Sequence, residues 1–307
     1  MPAPLSVIVP TRDTRDLTLS CLASVAASDG AADWEIVVVD DGSTDGTAEA
    51  LRLGFPGARV VRRREPGGFT AAANDGLRAA SGDILLLLNS DTEVEPGAIS
   101  RLRSAFELDP RLGAAGAQLV HGDGTPQWSA GERPSAAWLF GVASGIPRAL
   151  GRIPGYRRWK PVGRRKGPVD WVSGAAMAIR RSAWQQAGPL DERFRFYCQD
   201  LEYCERLRAA GWNVAVVEGA IVRHRGGATI GRRALPLLWS DLVRWSALAK
   251  GPAGAKRAAR ALETGARLRL AARAVRSLWL PKATRSAFRE ETRGYREALS
   301  AVRACRL

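Results

Sequence analysis

A short apolar run without alternation is the feature that most constrains what this chain can fold into. Residues 83–89 read Asp-Ile-Leu-Leu-Leu-Leu-Asn, a pattern typical of a central strand that is covered on both faces. Strand-like runs precede it at Leu5–Pro10 and Trp34–Asp40, and a helical stretch leads up to it at Phe69–Ala80. This alternation predicts a Rossmann-like α/β fold, with a mostly parallel sheet flanked by helices.

Further elements are predicted along the chain. Arg59–Arg62 is a weaker strand candidate, and Pro96 is expected to open a helix that runs through Leu108, since proline is favoured at the first helical position. Residues 122–168 are rich in Gly, Pro and Arg and are expected to form a long loop or an inserted segment. Regular structure is then expected to return, with helices from Arg181 and from about Asp200 to Ala210, a strand at Asn213–Val217 and a turn at residues 223–227.

Acidic and amide side chains stand where two of the predicted strands end. Asp40 and Asp41 follow one strand, and Asn89 and Asp91 follow another. Ligands of open α/β sheets gather at the carboxyl ends of the strands, so these residues predict a site. Asn89 and Asp91 are two positions apart and therefore point the same way, as ligands of a divalent cation would. The alternative is that Asp91 only caps a turn.

Most of the net charge lies in the last quarter of the chain. Of a formal +15, residues 231–307 supply +13, with 18 Lys and Arg against 5 Asp and Glu. Such a region suits anionic partners, namely lipid headgroups, diphosphates or nucleic acid. Its richness in Ala, Leu and Arg predicts long helices, and hence a basic helical C-terminal extension. It also contains Trp239, Trp245 and Trp279.

Two interpretations of this basic region stay open. Leu238, Leu242 and Trp245 recur on one helical face, and basic helices with such a face bind anionic membrane surfaces. A second basic run at residues 148–166, with eight Lys and Arg and no acid, would extend that surface or bind a diphosphate. The alternative is that the apolar face packs on the rest of the protein.

The four cysteines predict a reducing compartment. Cys21, Cys198, Cys204 and Cys305 form no C-x-x-C pair, which disfavours a structural zinc site. Neither a signal peptide nor an apolar stretch of about 20 residues, the length that spans a bilayer, is recognisable. We therefore expect a cytoplasmic protein, with peripheral attachment to the inner face of the plasma membrane as an open option.

Three segments, taken together, resemble the glycosyltransferase family 2, whose fold is the GT-A type. They are Leu5–Thr11 (LSVIVPT), Val38–Thr47 (VVDDGSTDGT) and Leu87–Val94 (LLNSDTEV). Within the family, Glu65–Gly76 and the Asn-x-Asp form of the metal motif are most similar to the rhamnosyltransferase branch. The resemblance covers roughly residues 5–230, and the ordered set of motifs is more specific than any one of them.

The resemblance implies an inverting glycosyltransferase that depends on Mn²⁺ or Mg²⁺. Residues 1–230 would form the GT-A domain, with a nucleotide-sugar-binding half at 1–120 and an acceptor-binding and catalytic half at 121–230. Residues 231–307 would form the basic helical region. dTDP-rhamnose is favoured as donor over a UDP-hexose. The acceptor expected is a growing cell-surface glycan, including one carried on a lipid diphosphate.

The roles of the family's donor-binding residues transfer to the positions that match. A carboxylate suits uracil or thymine, because each presents an N3–H group that a carboxylate can accept. The base and ribose pocket would be lined by Pro10, Thr11, Asp40 and Asp41. Gly67 and Gly68 would let the backbone approach the donor, with Asn74 nearby. Asp91 would coordinate the metal, with Asn89 beside it and His224 as a second ligand.

The acceptor-side motifs supply the expected chemistry. Trp171 resembles a position where an indole stacks on a sugar face, with core packing as the alternative. Asp200 is the expected general base, and a helix N-cap role is compatible with that. Gln199 stands where the family usually has Glu. Glu202 and Arg206 are spaced as a helix-surface ion pair.

Two interpretations from other classes remain. The basic tail suits a nucleic-acid-binding protein, but no nucleic-acid motif accompanies the charge, and no nucleic-acid partner is expected. Asn89 and Gln199, which replace acids of the family, suit a catalytically weak relative that only binds glycans. Hydrolysis of a nucleotide-sugar donor would distinguish the enzyme from both.

Overall fold

The computed structural model describes residues 4–28, 30, 33–146, 167–226, 234–279, 281 and 284–305. It divides into two compact units, the first formed by residues 1–133 and 161–229, the second by residues 134–160 and 230–307. The predicted division at residue 230 differs from these units in one respect, because residues 134–160 group with the C-terminal helices. The basic run at 148–166 lies outside the described residues.

The first unit contains the sheet and the helices that cover it. Its strands are β1 (Leu5–Thr11), β2 (Glu35–Asp40), β3 (Arg59–Arg62), β4 (Ile84–Leu88), β5 (Thr92–Val94), β6 (Leu112–Val120), β7 (Ala130–Gly131), β8 (Gly167–Pro168), β9 (Trp171–Val172), β10 (Ala176–Arg180) and β11 (Asn213–His224). Its helices are α1 (Arg15–Ala26), α2 (Thr47–Gly54), α3 (Phe69–Ala79), α4 (Ala98–Leu108), α6 (Arg181–Ala187) and α7 (Gln199–Ala209), while α5 (Ala136–Ser144) belongs to the second unit.

Nine of the described strands form one sheet in the order β3-β2-β1-β4-β10-β6-β11-β5, with β8 beside β11, and β7 and β9 form a second, two-stranded sheet. The pairings β3-β2, β2-β1, β1-β4 and β6-β11 are parallel, whereas β10, β5 and β8 run antiparallel to their neighbours. Every residue of β4 is buried, which confirms the central strand predicted from its continuous apolar run. The sheet therefore has the mostly parallel, helix-covered form expected from the sequence.

Three predicted boundaries were wrong, each for a local reason. Helix α4 begins at Ala98, two residues after Pro96, because Gly97 adopts a left-handed backbone (φ +74°) that cannot be helical. Strand β11 extends to His224, so the predicted turn at 223–227 begins too early; pairing with the short strand β5 continues it. The expected loop at 122–168 contains α5, which Ser135 caps by accepting the N–H of Trp138.

The second unit is helical, as predicted for the basic region. Helices α8 (Ala234–Ser277) and α9 (Arg285–Ala304) pack on each other, and α5 packs on α8. Helix α8 is interrupted at Gly251, where φ is +65°. Trp239 and Trp245 are almost completely buried, as is Leu242, so this face of α8 is used for packing within the unit. No helix among the described residues is long and apolar enough to cross a membrane.

A glycine lets α3 lie directly on the sheet. A Cβ atom at Gly76 would overlap the Cγ2 atom of Ile8 in β1 and lie 3.1 Å from the Cγ2 atom of Val39 in β2. Ile8 and Val39 are both completely buried, so neither side chain can move away from an added Cβ atom. The helix and the sheet would have to separate to accommodate alanine.

We therefore predict that Gly76→Ala destabilises the protein by about 1–3 kcal/mol, the usual effect of overpacking a dense core. Gly294→Ala is the matched control, since Gly294 lies in α9 with nothing within 4 Å of its would-be Cβ. That change should stabilise slightly, because alanine is the better helix former. Thermal unfolding of both variants checks the pair; equal midpoints would contradict the proposed close approach.

Candidate active site

The polar residues singled out in the sequence stand together at one edge of the sheet. Thr11, at the end of β1, pairs in register with Asp40 at the end of β2. Asn89 follows β4, which runs parallel to β1, and its N–H donates to the carbonyl of Ala175 at 3.0 Å. His224 ends β11, at the same edge, where it pairs with the start of β5. The sheet topology therefore assembles residues that are far apart in sequence.

A cluster of buried hydroxyls ties β1 to the Asn-x-Asp motif. The Oγ1 atom of Thr11 lies 2.6 Å from that of Thr18, and the Oγ1 atom of Thr14 lies 3.0 Å from the Oγ of Ser90. Thr11 is buried, as is Pro10 before it. These two residues therefore form a wall of the edge and not an exposed contact surface.

Asp40 carries the clearest sign of a missing polar partner. Its side chain is completely buried, and Oδ1 accepts the backbone N–H of Ser43 at 2.8 Å. Oδ2 accepts no hydrogen bond from any described group, and the Nε of Arg62 is 3.6 Å from it. A buried carboxylate oxygen without a donor is unfavourable unless a ligand or water supplies one.

Asp41 has a different role from its neighbour. Its two carboxylate oxygens accept the backbone N–H groups of Gly67 and Gly68, each at 2.8 Å, and Arg63 lies 2.9 Å away. Gly68 has φ +89° and begins α3, while a Cβ at Gly67 would lie 2.8 Å from the Cβ of Ala71. Both glycines are therefore required by the turn itself, and Asp41 holds that turn against the end of β2.

Helix α3 also holds the segment that leads to α7. Asn74 is completely buried; its Oδ1 accepts the N–H of Leu190, and its Nδ2 donates to the carbonyl of Leu190 and to Glu192, all at 2.9 Å. One turn earlier, the hydroxyl of Thr70 donates to the carbonyl of Phe194. Both polar atoms of Asn74 are thus used within the protein, and its place is beneath the site.

Asp91, His224 and Asn89 form the set of candidate metal ligands. The Nε2 atom of His224 lies 3.3 Å from Oδ1 of Asp91 and from Nδ2 of Asn89. The buried Oδ1 of Asn89 accepts no hydrogen bond from any described group. Burial would raise the pKa of Asp91, but the hydrogen bond and charge of His224, with the N–H of Gly226, outweigh it and lower the pKa.

This donor set fits a small divalent cation that is shared with a substrate. Within the described part of the chain, no three His, Cys, Asp or Glu side chains cluster, so one carboxylate, one imidazole and one amide oxygen are on offer. Mn²⁺ and Mg²⁺ commonly take one or two carboxylates from the protein and complete their shells with phosphate oxygens and water. The orphaned amide oxygen and the ionised carboxylate are the features that such an ion would satisfy.

Gln127 orients His224 and was missed in the sequence. Its Oε1 lies 2.9 Å from Nδ1 of His224, and its Nε2 donates to the carbonyl of the same residue and lies 2.8 Å from Nδ1 of His121. A glutamine Oε1 can only accept, so Nδ1 of His224 carries a proton, and Nε2 is the ring nitrogen that faces Asp91. Nothing local signals a contact across 97 positions.

Asp200 lies at the first turn of α7 and faces the strand-end loop before β10. Its Oδ2 accepts the N–H of Gly174 at 2.9 Å, and its Oδ1 accepts the N–H of Leu201 at 2.8 Å. Cys198, with φ +61°, is the N-cap, so the N-cap role considered for Asp200 was wrong. Burial raises the pKa of the Asp200 carboxyl, and the two backbone N–H groups only partly oppose this.

The neighbours of Asp200 behave as the sequence indicates. Glu202 and Arg206 form the predicted ion pair, at 2.7 Å. Gln199 is buried, and its Oε1 accepts no hydrogen bond from any described group. Gly174, bonded to Asp200, adjoins Ala175, whose carbonyl is bonded to Asn89. A short backbone bridge therefore connects Asp200 to the Asn-x-Asp motif.

Trp171 is packed inside the first unit. Only 8% of it is exposed, its indole N–H donates to the carbonyl of Glu132, and its ring is edge-on to Trp128 at 5.2 Å. This agrees with the core-packing alternative, because the indole ring is too little exposed for a sugar to stack on it. Trp128, 36% exposed and next to Gln127, is the aromatic surface that the sequence reasoning passed over.

Comparison with known proteins identifies the class of protein to which this fold and this edge belong. Residues 6–185, more than half of the chain, match the glycosyl transferase family 2. The chain belongs to that family and is a glycosyltransferase. The mannosyltransferase PcManGT from Pyrobaculum calidifontis, solved with GDP-Man and Mn²⁺, shares the fold: TM-score 0.65 at 20% identity, covering 100% of this chain and 87% of that one. The predicted GT-A type fold is confirmed.

Particular relatives place it near the rhamnosyltransferases, as the sequence predicted. The N-acetylglucosaminyl-diphospho-decaprenol L-rhamnosyltransferase of Mycobacterium tuberculosis is 30% identical over 214 residues, which are 64% of this chain and 68% of that protein. The O-antigen biosynthesis protein RfbC of Myxococcus xanthus is 29% identical over 237 residues, which are 76% of this chain and 18% of that much longer protein.

The raised pKa of Asp200 predicts a pH dependence of stability. Such a carboxyl binds protons in the native state that the unfolded chain has already released. Its contribution to the free energy of unfolding therefore falls as pH rises from below 3.8, its ordinary pKa, through the raised value. In Asp200→Asn this titration is absent, so the stability of the parent relative to the variant should fall over that window.

Denaturant unfolding of both proteins, from about pH 3.5 to neutrality, measures this difference. Asp123→Asn is the control with opposite sign. Asp123 is exposed, and its hydrogen bond from Thr125 lowers its pKa, so the parent should gain on that variant as pH rises. A parent that gains on Asp200→Asn as pH rises would show that the Asp200 pKa is not raised.

Proposed function

We propose that this glycosyltransferase moves rhamnose from dTDP-rhamnose onto a glycan carried on a lipid diphosphate, with inversion at the anomeric carbon. The geometry that supports the mechanistic part is the link between Asp200 and the Asn-x-Asp motif: Asp200 accepts the N–H of Gly174, and the carbonyl of Ala175 accepts the N–H of Asn89. Two aspartates at the same edge of the sheet have pKa values displaced in opposite directions, lowered for Asp91 and raised for Asp200. When two carboxyl groups of one site have pKa values displaced in opposite directions, the one with the lowered pKa stays ionised and the one with the raised pKa can exchange a proton.

The nucleoside is assigned to the ends of β1 and β2. Asp40 offers a buried carboxylate oxygen without a described donor, and the N3–H of thymine or uracil, or a ribose hydroxyl, would supply one. Thr11 and Pro10 would form the wall beside it, and Asp41 would act indirectly by holding the Gly67–Gly68 turn in place. Asn74 is proposed as a positioning residue and not as a donor contact, because its amide is used by Leu190 and Glu192.

The diphosphate is assigned to the Asn-x-Asp motif. Asp91 and His224 would hold Mn²⁺ or Mg²⁺ there, with Asn89 adding an amide oxygen. When bound, such an ion offsets the negative charge that develops on the departing nucleoside diphosphate. Gln127 would hold the ring of His224 so that Nε2 faces Asp91, and Asp91 itself is buried.

Asp200 is assigned the role of general base. The acceptor hydroxyl oxygen attacks the anomeric carbon, the bond from that carbon to the diphosphate oxygen breaks, and the hydroxyl proton passes to the carboxylate of Asp200. A raised pKa brings this base closer to working pH and makes it a stronger proton acceptor. A single displacement of this kind inverts the configuration and needs no covalent enzyme intermediate.

Relatives support the finer assignment of sugar and acceptor. The mycobacterial relative is named for transfer of L-rhamnose to N-acetylglucosaminyl-diphospho-decaprenol, and the Myxococcus relative for O-antigen biosynthesis. We extend the first chemistry to this chain, which puts the reaction at the cytoplasmic face of the plasma membrane. A UDP-hexose donor is the alternative, because uracil and thymine present the same N3–H group to Asp40.

The metal assignment predicts coupled losses. Asp91→Ala and His224→Ala should each abolish most of the Mn²⁺-dependent binding of dTDP measured by titration calorimetry. Gln127→Ala should weaken it by about tenfold to a hundredfold, the usual effect of removing a group that orients a metal-bound histidine. Gln118→Ala is the matched control, because the amide of Gln118 also reaches β11 but accepts the N–H of Gly219 instead.

Two results would count against this assignment. One is dTDP binding that is equally tight with Mn²⁺ and with a chelator. The other is a Gln127→Ala variant that matches Gln118→Ala, which would show that the orientation of His224 is immaterial.

The catalytic assignment is tested with a donor panel, which includes dTDP-rhamnose and UDP-hexoses, and a polyprenyl-diphospho-N-acetylglucosamine acceptor. We expect dTDP release and an inverted product from dTDP-rhamnose. Asp200→Asn should lower kcat by at least about a hundredfold while dTDP binding stays within a few-fold, given the usual size of acid–base contributions. Glu202→Gln, two residues away, should leave kcat within a few-fold, since Glu202 only pairs with Arg206.

Each other outcome has a distinct meaning. Faster turnover of a UDP-hexose would replace the donor but keep the mechanism. Asp200→Asn with near-parental kcat would remove the base assignment. No turnover of any donor in the presence of metal would favour a relative that only binds glycans.

A further inference from the structure

The second half of α8 carries an apolar stripe that faces solvent. Leu268, Ala272 and Val275 are spaced i, i+4 and i+7, the spacing of one helical face, and Trp279 lies in the turn that follows the helix; all four are exposed. The exposed fractions are 46% for Leu268, 63% for Val275 and 84% for Trp279, and Leu278 beside them is 75% exposed. We call these five residues the α8 stripe.

The α8 stripe is not needed to hold the second unit together. The opposite face of α8 is already packed: Leu262 and Ala266 are buried, and Gly265 lies against the carbonyl of Phe140 in α5. Arg269 and Arg273 stack on Tyr295 and Phe288 of α9. The stripe is therefore an apolar surface left over after folding, and surfaces of this kind mark interaction sites.

Positive charge surrounds the stripe. Residues 251–279 contain seven Lys and Arg and one acid, Glu263, which is buried. The exposed basic residues of this segment are Lys256, Arg257, Arg260, Arg267 and Arg276. No exposed carboxylate within 251–279 opposes them, and Glu291, which reaches this segment from α9, is paired with Arg273 at 3.0 Å.

We propose that the α8 stripe is a membrane-docking surface that binds bilayers rich in anionic lipid. Trp and Leu side chains flanked by arginine suit the boundary between headgroups and acyl chains, where the apolar part is buried and the cations meet phosphate. A second copy of this chain is the less suitable occupant, because pairing two such faces would bring like charges together. The opposing charge that this surface needs is a property of the anionic leaflet.

This surface differs from the one suggested by the sequence. Trp245 and Leu242 belong to the packed first half of α8, so they cannot also enter a bilayer. The inference does not rest on the proposed reaction, since it follows from exposure and charge within the second unit alone. It is compatible with a lipid-linked acceptor, and its test uses neither donor nor acceptor.

The test is co-sedimentation of the full-length protein with vesicles of phosphatidylglycerol and phosphatidylcholine, or of phosphatidylcholine alone. We expect binding to the anionic vesicles at low salt, little binding to the neutral ones, and release at high salt, since ionic strength screens exposed charge. Trp279→Ala should reduce the partition coefficient by about tenfold, as expected for losing a partly buried aromatic. Arg260→Gln and Arg276→Gln should each reduce it by about fivefold.

Matched controls come from the first unit. Leu108→Ala removes a side chain that is 85% exposed, and Arg52→Gln removes an exposed guanidinium; both should bind vesicles like the parent. All five substitutions are at exposed positions, so equal thermal midpoints are expected and would separate lost docking from lost folding.

Three outcomes would overturn the proposal. The first is full-length protein that stays in the supernatant with anionic vesicles at low salt. The second is a loss of binding in the controls equal to that in the stripe variants. The third is a dimer in gel filtration that Trp279→Ala dissociates without any change in vesicle binding, which would assign the stripe to a second copy.

Discussion

The hydrogen bonds around the first two turns of α3 are the constraint on which the candidate site depends. At its start, Asp41 accepts two backbone N–H groups, and further along Thr70 and Asn74 bind the segment at 190–194. Hydrogen bonds to a charged group such as Asp41 contribute about 1.5–3 kcal/mol each, and the side chain of Asn74 is completely buried. The segment they hold leads into α7, which carries Asp200. One helix therefore positions both the Gly67–Gly68 turn and the segment that leads to Asp200.

Three aspartates at the edge of the sheet show how environment assigns different tasks to one side chain. Asp40 is buried with one oxygen unsatisfied, Asp91 is kept ionised by His224 despite its burial, and Asp200 has its pKa raised by desolvation. Asn89 and Gln199 stand where the family usually has acids, and each presents an amide oxygen that no described group satisfies. An amide oxygen still accepts a hydrogen bond or ligates a cation, but it adds no negative charge. These two positions therefore keep an acceptor oxygen without adding to the negative charge of the edge.

The two apolar surfaces of the second unit differ in burial. Trp239, Leu242 and Trp245 are consumed in packing, whereas the α8 stripe from Leu268 to Trp279 is exposed beside a row of arginines. Some of the positive charge is also structural, because Arg269 and Arg273 stack on aromatic rings of α9 and their stems cover apolar surface. Net charge alone therefore overstates the number of cations available to a partner. The charge that remains exposed within 251–279 is positive, whereas α9 also presents exposed acids, Glu290, Glu291 and Glu297.

The sequence by itself determined the elements and the chemistry at their ends. The apolar run of β4, the strand and helix alternation, the acids after β2 and β4, and the helices of the basic region are local patterns with a period that can be counted. Only the tertiary structure decided which side chains do what. In the folded chain Trp171 packs against Trp128, and Asp41 accepts hydrogen bonds from the Gly67–Gly68 turn. Gln127 contacts His224, and residues 134–160 group with the C-terminal helices. The physical reason is that hydrogen bonds and burial depend on distance in space, which for Gln127 and His224 spans 97 positions of chain and leaves no trace in local periodicity.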